Sequence, residues 1–187
     1  MGQYYICVNL DKKEYLKPWD YDNGAKLMEH SYIGNNYIGT IESLLTSNNP
    51  WHKTRIVWAG DYMDDYVYLD EYIDTTNNAD KTNLYNFAYK TFELIKPKSI
   101  GNKHIMRYIV NHSKRQYIDK SKIIFKYGQD LTIHPLPLLT CSGNGRGGGD
   151  YRSDINNEYV GIWAGDMISI ELNKPGEYKE LEVCFKE

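Results

Sequence analysis

One tetrapeptide, Trp-Ala-Gly-Asp, stands twice in this chain, at residues 58–61 and 163–166. A hairpin-like stretch precedes each copy. Residues 8–16, Val-Asn-Leu-Asp-Lys-Lys-Glu-Tyr-Leu, align without gaps on residues 110–118, Val-Asn-His-Ser-Lys-Arg-Gln-Tyr-Ile. Each reads as a strand, a polar turn and a short return strand. Val8 precedes Trp58 by 50 residues, and Val110 precedes Trp163 by 53. The same elements in the same order at nearly the same spacing predict an internal duplication, with halves near residues 4–75 and 104–172. Two copies are too few for a solenoid, so the expected outcome is a pseudo-twofold pair burying one shared face.

Between these halves the spacing predicts a linking helix over 82–96. Leu84, Phe87, Ala88, Thr91, Phe92 and Ile95 form one apolar stripe, and Lys96-Pro97 ends it. Tyr37, Ile38, Ile41, Leu44 and Leu45 predict a second helix, stopped near Asn48-Asn49-Pro50, and residues 25–29 a short third. Strands are expected at 4–8, 54–58, 66–69, 104–111, 122–125, 159–163 and 167–172, with a last edge strand at 181–185. The fold class is α+β and β-rich: one globular domain over residues 1–187, two hairpin-containing repeats around a shared core, and two or three helices.

Composition excludes several function classes. With 22 basic and 25 acidic residues the formal net charge is −3, which leaves no electrostatic footprint for a nucleic-acid polymer. No apolar run approaches the ~20 residues of a membrane span. Cys7, Cys141 and Cys184 form neither a CxxC pair nor a zinc spacing. The first residues lack a basic and then apolar leader, so a reducing, cytoplasmic setting is expected. There are 18 tyrosines against 4 phenylalanines. The Asn and Lys excess points to nucleotide bias in the genome; a surface of amphipathic aromatics is the functional reading.

The candidate ligand-binding residues fall in two places. The segment from Thr140 to Tyr151 holds Arg146, Gly147, Gly148, Gly149 and Asp150, with Arg152 just beyond. Such glycine density lets backbone N–H groups converge on an anion, with Arg146 and Arg152 as clamps. It is neither a Walker A loop nor a dinucleotide fingerprint, because no Gly-Lys-Ser/Thr and no helix follow. A flexible surface loop is the alternative. The second place is the tetrapeptide pair, Trp58 with Asp61 and Trp163 with Asp166. A buried Trp followed by a bend explains each of its residues mechanically, while a cleft shared by the two Asp side chains is the functional alternative. His134 is a candidate base, although a lone His beside proline is more often structural. Asp61, Asp64 and Asp65 offer only oxygen donors, suited to Mg²⁺ or Ca²⁺, yet such runs are usually solvated; no metal and no cofactor is expected.

Several blocks carry a resemblance. Residues 1–4 are Met-Gly-Gln-Tyr, 9–15 Asn-Leu-Asp-Lys-Lys-Glu-Tyr, 25–29 Ala-Lys-Leu-Met-Glu and 146–150 Arg-Gly-Gly-Gly-Asp, beside both Trp-Ala-Gly-Asp copies. Together they resemble an uncharacterised family of short proteins from bacteria, fungi and viruses. In shorter relatives the blocks occur once, which implies duplication here. The first half lacks Arg-Gly-Gly-Gly-Asp, which implies an asymmetric site. The resemblance implies no activity.

The leading functional expectation is a non-catalytic protein that captures a small anion, such as a nucleotide. In a viral setting that would sequester a host signalling nucleotide. One alternative is a metal-assisted phosphoesterase using Asp61, Asp150 and Asp166 with His134. Another is an interaction module with a tyrosine-rich surface; self-association into a homo-oligomer is compatible with either binding reading.

Overall fold

The computed structural model describes residues 1–76, 81–98, 107–127 and 132–186, with the backbone alone for 124–127. Among these residues it is α+β and β-rich: nine strands in one mixed sheet, with five α-helices and two short 3-10 turns. Strands β1 (Tyr5–Asn9) and β2 (Glu14–Leu16) form the first hairpin; β5 (Tyr108–Asn111) and β6 (Gln116–Asp119) form the second. Each turn is locked the same way. The Asn9 side chain accepts the N–H groups of Asp11 (3.0 Å) and Lys12 (2.9 Å), and Asn111 accepts that of Lys114 (2.9 Å). Lys13 (φ 55°) and Arg115 (φ 54°) then close the turns in the left-handed region.

Strand β3 (Thr54–Gly60) pairs with β1, and β8 (Met167–Glu171) with β5. They meet at the centre, Thr54 opposite Ile168 and Arg55 opposite Met167. Two-residue strands finish the edges, β4 (Glu93–Leu94) parallel to β2 and β9 (Lys179–Glu180) parallel to β6. The order is therefore β4-β2-β1-β3-β8-β5-β6-β9, with β7 (Cys141–Ser142) lying parallel to β3 off this path. On one face Tyr5, Cys7, Ile56, Trp58, Ile109, Ile168 and Ile170 pack under α2 (Asn36–Leu44) and α5 (Pro135–Thr140). On the other face, α3 (Leu84–Thr91) covers Ile6, Val8, Val57 and Ala59 with Leu84 and Ala88.

The two Trp-Ala-Gly-Asp copies are not equivalent places, which corrects the alignment drawn from sequence. Trp58 lies inside β3 opposite Cys7, whereas Trp163 lies in a turn ahead of β8. In its contacts Trp163 resembles Trp51 instead. The Trp51 indole donates to Glu14 at 2.5 Å and the Trp163 indole to Gln116 at 2.9 Å, and these acceptors hold the same place in the two hairpins. Thr54 N–H then bonds Trp51 O (3.2 Å), as Asp166 N–H bonds Trp163 O (3.0 Å). Lys53 (φ 56°) and Gly165 (φ 77°) supply the matching bends.

Other expectations change for local reasons. Residues 66–69 are turns, with Tyr66 and Tyr68 at positive φ. Residues 122–125 fall in α4 (Lys120–Tyr127), and 159–163 in a 3-10 turn and bends whose Val160 and Ile162 pack on the core without joining the ladder. Residues 135–138 open α5 despite their two prolines. The His134 side chain accepts the N–H of Leu136 as N-cap, and first-turn prolines lose no intrahelical bond. The helix expected over 82–96 spans only 84–91 and continues into β4, so it covers the first hairpin rather than linking halves. No strand forms over 181–185; the edge strand β9 lies just ahead of them, at Lys179–Glu180. Residues 104–106 of another expected strand lie outside the described residues. Among the described residues no helix is long and apolar enough to cross a membrane.

Candidate functional site

Four segments far apart in sequence meet at the glycine loop that follows β7. Its centre is the Asp150 carboxylate. One oxygen accepts the backbone N–H groups of Gly145 (2.8 Å), Arg146 (2.8 Å) and Gly147 (2.9 Å); the other accepts the Tyr5 hydroxyl (3.0 Å). Three N–H groups converging on one anion make the nest expected from the glycine content. The anion is the chain's own. Burial, and then the neighbouring Cys141 and Asp150, push the Tyr5 hydroxyl far above its ordinary range, so it stays a donor. Arg152 closes the loop from outside by donating to Gly147 O at 2.9 Å.

The N-terminal residues strap this loop to the sheet. Gly148 N–H bonds Met1 O (2.9 Å) and Gln3 N–H bonds Gly148 O (3.1 Å), while Met28 N–H bonds Gly149 O (3.0 Å). Tyr4 and Asp61 exchange two bonds: Tyr4 N–H donates to the Asp61 carboxylate (3.0 Å), and Asp61 N–H donates to Tyr4 O (2.9 Å). Backbone approaches this close need glycine. A Cβ on Gly147 would stand 2.4 Å from that of Gln3, and one on Gly149 2.3 Å from the Lys26 side chain. Gln3 itself is fully buried, and its carboxamide has no hydrogen-bond partner among the described residues.

Around the junction stand exposed charges. The Arg146 guanidinium grips both oxygens of Asp64 at 2.7 Å each and donates to Tyr62 O at 2.9 Å. That contact holds the Asp64 carboxyl below its ordinary range. Lys26 pairs with Glu29 at 3.1 Å, and the Tyr4 ring is 46% exposed. Burial pushes the Asp61 carboxyl up, with Asp150 a smaller contributor.

The structure therefore gathers Arg146, Gly147, Gly148, Gly149, Asp150, Arg152 and Asp61, and separates the rest. Trp58 and Trp163 are both fully buried core residues, so neither is placed to flank a bound base, which corrects that expectation. The Trp58 indole donates to His30, and the imidazole, pushed down to about 4 by burial, is held neutral. Asp166 is held by Lys114 and by Asn111 (2.8 Å) beside β5 and shares no cleft with Asp61 through these contacts. His134 is a core residue facing Glu42 at 2.9 Å, and Glu42 also carries Lys120. Burial acts to raise the Glu42 carboxyl, but Lys120 and His134 more than reverse it and hold it well below its ordinary range. Asp61, Asp64 and Asp65 do not converge: Asp61 faces Tyr4, Asp64 faces Arg146, and Asp65 is exposed. No group of three or more His, Cys, Asp or Glu side chains is placed to hold a metal ion among the described residues. Sequence reasoning missed Gln3, Tyr5 and Lys26 as site residues. For Gln3 and Lys26 a signal was present, since Met-Gly-Gln-Tyr and Ala-Lys-Leu-Met-Glu accompany Arg-Gly-Gly-Gly-Asp in the resemblance; Tyr5 lies outside both blocks and had none.

Compared with known proteins, the chain matches no protein-family model, no curated protein and no solved structure.

Proposed function

We propose that this protein binds a small anionic ligand, such as a nucleotide, at the strapped glycine loop, without catalysing a reaction on it. One observation carries the reading: three distant segments are fastened to one loop whose guanidinium, Arg146, stays on the surface. The nest itself is filled, so the ligand is held from the rim, by Arg146 and Lys26. Their present partners, Asp64 and Glu29, are 68% and 43% exposed. Exposed pairs of this kind contribute only ~0–1 kcal/mol, so a polyanion exchanges for them at little cost. The unpartnered Gln3 carboxamide behind the loop supports the same place, and the exposed Tyr4 ring offers a stacking surface. The matched hairpins, and the Trp51 and Trp163 indoles bonded to them, support reading the chain as a diverged duplication in which only the second half kept the loop.

The test is a thermal-shift screen of nucleotides and inorganic phosphates on wild type and on Arg146→Ala. Stabilisation of the wild type that is lost in Arg146→Ala supports the proposal; no shift in either, or equal shifts in both, overturns it. A hydrolytic role finds less support, because His134 is enclosed with Glu42 and Asp166 is held by Lys114. An interaction surface has one observation in its favour. Lys17 lies 5.3 Å from the Trp19 ring and 5.5 Å from the Tyr89 ring, both of them exposed.

A further inference from the structure

Each flank of the sheet carries a cleft where the chain leaving the second hairpin strand meets the chain leaving the outermost strand. In the first flank the cleft measures about 290 Å³ and is lined by Asp20, Tyr21, Lys96 and Pro97. In the second it measures about 410 Å³ and is lined by Lys122, Ile123, Glu182 and Val183. Counted from the strand pairings, these residues match one for one: Asp20 with Lys122, Tyr21 with Ile123, Lys96 with Glu182, and Pro97 with Val183. Tyr21 narrows the first cleft. Its hydroxyl donates to Pro97 O at 3.0 Å, and its ring packs 5.8 Å from that of Tyr37. Ile123 has no ring to extend that far, so the second cleft stays open above an apolar floor of Ile118, Leu181 and Val183.

The charges around the second cleft are inverted. Lys122 is ion-paired with Glu180 and lies 3.9 Å from Glu182, which is 82% exposed. Asp119, also in the wall, is taken by Arg107 at 2.9 Å. One ammonium group thus stands between two carboxylates, and this rim sets both signs beside an apolar floor. The volume lies within the ~300–1,000 Å³ of small-molecule pockets.

We propose that this cavity binds a small zwitterion with a large apolar side group, the chemistry of a hydrophobic amino acid. Its ammonium pairs with Glu180 and Glu182, its carboxylate pairs with Lys122, and its side group covers Ile118, Ile123 and Val183. The ligand replaces only the exposed, weak pair between Lys122 and Glu182; the Lys122–Glu180 pair stays, since an ammonium with three donors and a carboxylate with several acceptor sites can each take a further bond.

The test uses the full chain with L-tryptophan and L-leucine as probes. Tryptamine and indole-3-propionate, each carrying one charge, and glycine, lacking the side group, serve as comparisons. Binding is read by calorimetry and by the rate at which a maleimide modifies Cys184, since Cys7 and Cys141 are buried and Cys184 lies in the cavity wall. L-tryptophan is expected to bind with Kd below about 1 mM and to slow Cys184 modification, with each single-charge analogue at least about tenfold weaker. Ile123→Tyr, which places a phenol where the first flank has Tyr21, is expected to abolish binding. Lys122→Met, at a site 56% exposed and therefore compatible with folding, is expected to weaken it by about tenfold or more. The proposal is overturned by absence of saturable binding, by equal affinity for tryptamine or indole-3-propionate, or by undiminished binding to Lys122→Met.

Discussion

Removing the Asp150 carboxylate is the sharpest test of how the glycine loop is held. Four donors converge on it: the N–H groups of Gly145, Arg146 and Gly147, and the hydroxyl of Tyr5. A hydrogen bond to a charged group contributes about 1.5–3 kcal/mol net, and a buried donor left without a partner costs a comparable amount. Gly145 and Arg146 are exposed, so water takes over their N–H groups in an Asp150→Ala variant. Gly147 and Tyr5 are buried and have no such substitute. Counting those two alone, Asp150→Ala is expected to cost about 3–6 kcal/mol, a large part of the ~5–15 kcal/mol by which a domain is stable. Asp150→Asn keeps an oxygen facing the donors but loses the charge, which roughly halves each bond, so on the same two bonds it should cost about 1.5–3 kcal/mol. Urea unfolding followed by circular dichroism gives both values from the midpoint, provided the slope is unchanged. Acetate at about 100 mM should raise the midpoint of Asp150→Ala and leave that of the wild type unmoved, because only the variant offers an empty nest. If Asp150→Ala and Asp150→Asn both fall within about 0.5 kcal/mol of the wild type, the nest is not what holds the loop.

His30 makes stability depend on pH. It lies fully buried between Gly24 O and the Trp58 indole, and burial lowers its pKa from 6.5 to about 4. The folded state therefore resists the proton. The contribution is complete above about pH 6.5 and disappears as pH falls to about 4, a loss of roughly 3 kcal/mol. Urea midpoints from pH 7 to pH 4 should fall more steeply in the wild type than in His30→Gln, and parallel curves would show that His30 is not held neutral. Trp51→Phe loses a bond to the Glu14 carboxylate and Trp163→Phe a bond to the Gln116 amide. Thermal unfolding should place Trp51→Phe lower, about 1.5–3 against 0.5–1.5 kcal/mol; the reverse order would refute a charge-assisted bond from Trp51 to Glu14. Gly147→Ala sets a Cβ 2.4 Å from that of Gln3, whereas Gly145→Ala meets nothing within 4 Å and bears only the strain of φ 92°. Limited proteolysis should therefore release the N-terminal strap in Gly147→Ala and not in Gly145→Ala; equal protection of both would show the strap is not packed as described.

Local signals were legible wherever the residues that set a conformation lie next to it. Both hairpins were readable because Asn9 and Asn111 bond backbone groups only a few residues ahead. The helix at 36–44 was readable because its apolar residues recur along one face and Asn35 caps it. The glycine loop was legible as a nest, since convergent N–H groups require little more than glycine spacing. The helix at 135–140 was not legible because proline favours an extended chain unless something caps the first turn, and that cap is the His134 side chain, anchored to Glu42 far along the chain.

What the sequence determined by itself is the kind of chain this is. It is α+β and β-rich, with two hairpins of one design and a loop built to surround an anion. Tertiary structure alone decided the partners of the tryptophans: the Trp51 and Trp163 indoles bond Glu14 and Gln116, at the same place in the two hairpins, whatever the letters around them. It decided too that the loop's anion is Asp150, and that Met1, Gln3 and Met28 are its neighbours. The physical reason is the same in each case. A turn or helix is set by groups within a few residues, whereas a partner for a buried donor comes from wherever the packed chain brings an acceptor within about 3 Å.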